Sequence, residues 1–290
     1  MRIEHRRAHW ADEQPRTRWV DQSAFRPTRP DLHLGATNHR VERAGASASG
    51  RISVRHTVTT STADYTMLLN APGWFGHRAV SEALRDAVAE LRAVDLTYGP
   101  NRPDSLVSRL RRDEISPDSY PPLADLIDLC AAMRAATDGW FDAWAVPGGF
   151  DPGGLLGGWA VERAAARLRA AGIHDYAVLS GADLTVRGHA AHGGPWRVAV
   201  HHPTDTRRTP VVLEMTTGAV GTSGVTGRRG HVVDPHTGEP TDRLVAATVL
   251  GPNLAVADAY ATALYAAGPA GLAWFRHDTD YRPLFAHHRR

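Results

Sequence analysis

Apolar positions along the chain fall into helical and strand-like periods that alternate with Gly- and Pro-rich breaks. Val80, Leu84, Val88, Leu91 and Val94 recur close to every 3.6 residues, with Glu82, Arg85, Asp86, Glu90 and Arg92 between them. That spacing predicts an amphipathic helix with the charged set facing solvent. A second helix is predicted from Pro122 to just before Gly139, with Leu123, Leu126, Ile127, Cys130 and Met133 inward. A third carries Ala160, Ala164, Leu168 and Ala171 and closes at Gly172, and a last one runs from Ala255 to Ala267. Residues Arg55 to Ala71 are strand-like, rich in β-branched and aromatic side chains, and end at Pro72-Gly73. Short strands are predicted at Tyr176–Ser180, Leu184–Arg187, Trp196–Val200, Val211–Thr216, Ala219–Ser223, His231–Asp234 and Val245–Leu250. Helices and strands are grouped more than strictly alternated, so an α+β fold is expected rather than a doubly wound parallel sheet.

The 290 residues, 42% hydrophobic and 22% charged, suffice for a substantial core. All 33 basic residues are arginine. With no lysine, Schiff-base chemistry and a P-loop lysine are excluded, because arginine stays protonated. Cys130 is the single cysteine, which excludes intramolecular disulfides and Cys-rich metal cages. It sits on the apolar stripe of its helix, as a buried structural thiol does. Residues 1–55 hold 11 arginines against 6 acidic residues. A basic, flexible extension over residues 1–50 is therefore expected before a mildly acidic domain at 51–290. Few aromatics accompany that charge, which speaks against a nucleic-acid surface. No run approaches the ~20 apolar residues of a membrane span, and no export signal is visible, so a cytoplasmic location is expected.

Three segments can carry chemistry. Asp151-Pro-Gly-Gly-Leu-Leu-Gly-Gly158 precedes a helix; it reads either as a phosphate-approaching loop or as a tight turn. Its spacing fits neither G-x-G-x-x-G nor the Walker motif. Asp258 and Thr262, four apart, share one helix face, where they offer two hard oxygens to Mg²⁺ or serve as a helix-end charge and filler. Thr222 and Ser223 precede His231 and Asp234, a set suited to a general base with hydroxyl partners or to a plain turn.

In this order the segments resemble the ApbE-like flavin transferase family (FAD:protein FMN transferase). The matching pieces are Asp104-Ser-Leu-Val-Ser-Arg-Leu110, Phe150-Asp-Pro-Gly-Gly-Leu-Leu-Gly-Gly-Trp-Ala160, Gly181-Ala-Asp183, Ala219-Val-Gly-Thr-Ser-Gly224, Arg229-Gly-His-Val-Val-Asp-Pro-His-Thr-Gly238 and Ala257-Asp-Ala-Tyr-Ala-Thr-Ala263. The resemblance implies helices packed on a mostly antiparallel sheet with a nucleotide cleft. It also implies Mg²⁺-dependent transfer of the FMN moiety of FAD to a Thr or Ser hydroxyl of an acceptor protein, or less readily a small molecule, with release of AMP. Residue by residue, it makes Asp258, Thr262 and the backbone carbonyl near Gly154 metal ligands and His231 the catalytic base. Ser105, Gly181, Asp183, Thr222 and Ser223 then border the flavin nucleotide. The chain departs from the family at Gly157, where a lysine is usual, at Gly181-Ala-Asp183 in place of Gly-Gly-Asp, and at Thr60-Ser-Thr-Ala63, where Met-Gly-Thr is usual. These departures keep two alternatives open: an FAD pyrophosphatase giving FMN and AMP, and a flavin-nucleotide binding protein without catalysis.

Overall fold

A computed structural model describes residues 17–19, 32–34, 50–201, 210–224, 232–241, 243–275 and 280–286. The hairpin strands β3 (Arg51–Thr59) and β4 (Asp64–Pro72) occupy the stretch expected to run on as one strand-like segment. Their reversal needs neither Gly nor Pro. Thr60 closes the turn by donating from both its backbone N–H and its hydroxyl to the carbonyl of Ala63, each at 3.0 Å.

The other expected strands fall within a residue or two of their predicted bounds: β5 (Asp175–Ser180), β6 (Asp183–Arg187), β7 (Trp196–Val200), β8 (Val211–Met215), β9 (Thr217–Gly224) and β10 (Ala246–Gly251). The exception is His231–Asp234. His231 lies outside the described residues, and Val233 makes only an isolated bridge to Pro240. With β11 (Arg282–Ala286), seven strands form one fully antiparallel sheet in the order β11-β10-β9-β6-β5-β4-β3. A smaller sheet has the order β1-β8-β7-β2, where β1 (Thr17–Trp19) and β2 (Leu32–Leu34) come from the basic N-terminal stretch and β2 pairs parallel to β7.

Side chains alternate across the large sheet, and each face has its own core. Tyr176, Val178 and Ala219 join the helices on one side. Ala177, Leu184, Val186 and Val220 pack against Trp196, Val198, Leu213 and Met215 of the smaller sheet on the other. The helical layer holds α1 (His77–Tyr98), α2 (Leu106–Arg111), α3 (Pro121–Ala136), α4 (Gly153–Ala170) and α5 (Leu254–Ala267), and a short α6 (Leu272–Phe275) follows. Cys130 on α3 is 2% exposed, and burial pushes its thiol up to about 12. Thirteen of the fourteen residues of α5 are buried, all but Thr262, as expected of a helix apolar all round.

Two helices differ from the sequence expectation. On α1, Glu90 belongs to the buried side: its carboxylate accepts from Arg163 (2.6 Å) and Arg167 (2.7 and 2.8 Å) of α4. Burial alone would raise its pKa, but the two guanidinium groups outweigh that and hold it below the ordinary carboxylate value. A depressed carboxylate contributes stability that is present above its unfolded pKa and disappears as pH falls through its folded one. Glu90→Gln is expected to cost about 1–2 kcal/mol at pH 7, both arginines being partly solvated. The gap to wild type should close below pH 4 in a denaturation series; a constant gap would remove the ion pair from the α1–α4 interface. The second difference is α4. It begins at Gly153, so Gly153, Gly154, Gly157 and Gly158 lie inside the helix and not in a loop before it.

Candidate functional site

Glycines explain why α5 can come so close to its neighbours. A Cβ on Gly221 of β9 would lie 2.5 Å from the backbone nitrogen of Asp258, and one on Gly158 of α4 would lie 2.8 Å from the carbonyl oxygen of Leu254. At Gly154 it would meet Thr262 Oγ1 at 2.9 Å and the Phe141 ring at 3.1 Å. At Gly221 and Gly158 backbone therefore lies on backbone, at Gly154 side chains close in, and residues of α4, α5 and β9 meet around one point. Asn253 fixes the start of α5, its side chain accepting from the N–H of Val256 at 3.2 Å.

At that point the helix presents Asp258 and, one turn on, Thr262. Thr262 Oγ1 donates to the carbonyl of Gly154 (3.3 Å) and shares a hydrogen bond with Ser223 Oγ (2.9 Å). Asp258 is 6% exposed and accepts from the N–H of Gly158. Asp183, delivered by the tight β5–β6 turn, accepts from the N–H of Thr222 at 2.6 Å. Thr222 Oγ1 in turn meets Thr248 Oγ1 at 3.0 Å. Asp183, Asp258, Thr262, Thr222, Ser223 and Gly154 all line a cavity of about 390 Å³.

Burial pushes Asp183 up to about 7, although its surface still opens onto the cavity. Burial, and after it the charge of Asp183, hold Asp258 well above the ordinary carboxylate range. No basic side chain is among the described residues of the lining. Nor do three His, Cys, Asp or Glu side chains come together among the described residues. The available donors are therefore hard oxygens: a buried carboxylate, a hydroxyl, a backbone carbonyl and a second carboxylate nearby. Such a set suits a small divalent cation that keeps water and phosphate oxygens as its remaining ligands.

Two of the sequence candidates stand apart from this group. Ser105 is 1% exposed and does not line the cavity; its hydroxyl caps α2 by accepting from the N–H of Ser108 at 3.1 Å. Gly181 is the exposed turn residue between β5 and β6, at φ +59, and serves the site by placing Asp183. His231 lies outside the described residues.

The cavity also has walls to which sequence reasoning gave no role in the site: Trp140, Phe141 and Ser180, and, within segments it did quote, Thr62, Asp151 and Pro235. Thr62 is held by Asp95 of α1, which accepts from its N–H (2.9 Å), its hydroxyl (2.7 Å) and the hydroxyl of Ser61 (2.8 Å). Burial works against the charge on Asp95, yet these donors hold it below the usual carboxylate value. The signal for this wall was the hydroxyl run Thr60-Ser-Thr62 followed, one helix later, by a carboxylate on an apolar stripe.

Residues 145–285 match the model of the ApbE family. Over that stretch the chain is similar to the ApbE family. The chain is 37% identical over 122 residues to the FAD:protein FMN transferase of Escherichia coli (strain K12) and 39% identical over 127 residues to that of Rhodobacter capsulatus. The matched stretches are 39% and 41% of this chain but only 35% and 24% of those relatives, so the chain spans about a third or less of the curated relatives it matches. In three dimensions the likeness extends further. The flavin transferase ApbE from Vibrio cholerae superimposes with a TM-score of 0.67 over 81% of this chain and 97% of that one, at 20% identity. For the apo form of the Pseudomonas stutzeri flavinyl transferase ApbE the TM-score is 0.70 over 83% and 92%, at 24% identity. At 81% and 83% of the chain, the structural likeness thus reaches beyond the residues that the family model matches. Among the described residues no helix is long and apolar enough to cross a membrane.

Proposed function

We propose that this chain transfers the FMN moiety of FAD to a Thr or Ser hydroxyl of an acceptor protein, with Mg²⁺, releasing AMP. The observation that carries this proposal is the meeting of Asp258, Thr262 and the Gly154 carbonyl beside Asp183 in one cavity of an ApbE fold. The donor set fits Mg²⁺: Asp258, Thr262 and Gly154 would hold it, and once bound it would neutralise charge on the diphosphate oxygens. Asp258 anchors that end of the cavity, being fixed by the Gly158 N–H and by the buried start of α5. Ser223 presents its hydroxyl beside Thr262, and Asp183 fixes the adjoining backbone at Thr222, along which the nucleotide is oriented. The acceptor hydroxyl oxygen attacks the phosphorus that carries the riboflavin unit. A P–O bond forms, the bond from that phosphorus to the bridging oxygen breaks, and AMP leaves with the bridging oxygen. His231 is assigned the hydroxyl proton as general base.

The test is an incubation of purified protein with FAD and Mg²⁺, with and without an acceptor protein, reading AMP release and covalently bound flavin. Flavin on the acceptor together with acceptor-dependent AMP is the expected result. Acceptor-independent FMN and AMP would identify a pyrophosphatase instead, and retained FAD without AMP would identify a binding protein. His231→Ala should slow turnover by about 10²–10⁴ while FAD affinity stays within a few-fold, and the opposite pattern would make His231 a binding residue.

A further inference from the structure

The cavity lining contains two aromatic residues among those described. Phe141 is 4% exposed and packs beneath Gly154, whereas Trp140 is only half-buried and stands in the wall. Nothing about phosphate or metal chemistry explains an indole there. Its bracing is extensive. The Arg243 guanidinium lies 5.2 Å from the Trp140 ring centroid, and His236 meets the ring at 4.5 Å and an interplanar angle of 83°. Arg243 is anchored at both ends: one nitrogen donates to Asp234 Oδ2 (2.8 Å) and the other to the carbonyl of Ala266 at the C-terminal end of α5 (2.8 Å). Asp234, 4% exposed, also accepts the N–H of His236 at 2.9 Å, which ties both braces to one carboxylate. The backbone N–H of Trp140 donates to the carbonyl of Thr137 at 3.0 Å, which fixes the main chain that carries the ring.

A large flat side chain held this firmly loses little freedom on meeting a ligand, so its contact area converts into affinity with small entropic loss. With no basic group among the described lining residues, it is the part of the wall best suited to a planar ring. We propose that Trp140 is the stacking platform for a planar heteroaromatic ring of the dinucleotide, and that Arg243 is a positioning residue that holds the indole in place. The assignment rests on the reading that FAD occupies this cavity. Both rings of FAD, isoalloxazine and adenine, have the required chemistry, and separate ligands distinguish them.

The experiment titrates FAD, FMN and ADP, each with Mg²⁺, into wild type and into Trp140→Leu, Trp140→Phe and Arg243→Met, with melting curves run alongside. Trp140→Leu should weaken FAD binding about tenfold, Trp140→Phe no more than about threefold, and Arg243→Met about threefold. A loss shared with FMN and not with ADP places the isoalloxazine on Trp140; the reverse places the adenine there. Equal losses in the Leu and Phe variants, or unchanged affinity for all three ligands in Trp140→Leu, would overturn the stacking role. Should Trp140→Leu fail to fold, the Phe and Met variants carry the test, and an Arg243→Met variant as tight as wild type would overturn the positioning role. Failure of wild type itself to bind FAD would overturn the underlying reading of the cavity and not the bracing of Trp140.

Discussion

Asp258→Asn is expected to abolish Mg²⁺-dependent turnover while raising the melting temperature of the metal-free protein at pH 8. The reason lies in Asp183 and Asp258, two of the carboxylates lining one cavity that has no basic side chain among its described lining residues. Burial favours the neutral form of each, and the charge on one further penalises the other. A carboxyl whose pKa rises on folding contributes stability that is present while it is protonated and disappears as pH climbs through its folded value. For Asp183 the ordinary value of 3.8 rises to about 7, so metal-free wild type should lose stability as pH climbs from about 4 to about 7 and level off above that. The loss is at most about 4 kcal/mol, less to the extent that cavity water screens the charge. The Asn variant removes one charge and relieves the other, which should flatten the profile and raise the melting temperature by several degrees at pH 8. Added Mg²⁺ should stabilise wild type by mass action and leave the variant unchanged. Thermal scans over pH, with and without Mg²⁺, check both halves. Identical scans for the two proteins would separate Asp258 from any cation.

Gly221→Ala should be the most damaging single methyl in the site. Its Cβ would lie 2.5 Å from the nitrogen of Asp258, 2.7 Å from the carbonyl carbon of Ala257 and 2.8 Å from the Cα of Asp258, all backbone atoms of a helix with no free side on which to retreat. We expect a loss of about 3 kcal/mol, the upper end of overpacking, and turnover lowered out of proportion to stability because Asp258 and Thr262 move off Gly154 and Ser223. Gly157→Ala is the control on the same cavity. There the added carbon would be 3.6 Å from Ser180 Oγ, an ordinary contact, in a helix interior where Ala is preferred to Gly by roughly 0.5–1 kcal/mol. Denaturant unfolding of the two variants should therefore move in opposite directions. Equal and small effects would mean that α5 does not depend on the close approach of β9.

How far this site can be read from sequence depends on where each residue's constraint comes from. Asp258 and Thr262 are legible because helix geometry alone puts positions four apart on one face, and α5 does so. The start of α4 is not legible. Four glycines in six residues look like a loop by intrinsic propensity, and only the approach of Leu254 and Thr262, distant in sequence, makes a helix of small residues the favoured state. Ser105 shows the converse: its hydroxyl reads as a ligand group until a purely local partner, the N–H of Ser108, claims it. Glu90 looks solvent-facing on the helical wheel, since the two arginines that bury it lie more than seventy residues away. The β3–β4 reversal is hidden because a threonine side chain does the work usually signalled by Gly or Asn.

The placement of α5 has one more consequence. A helix enclosed on nearly every side has almost no latitude to shift, so the oxygens it carries cannot be retuned without disturbing the centre of the molecule. Any adjustment of the cleft must then fall to the surface passages that complete it, such as the one around Pro235, while the oxygens at the bottom stay in place.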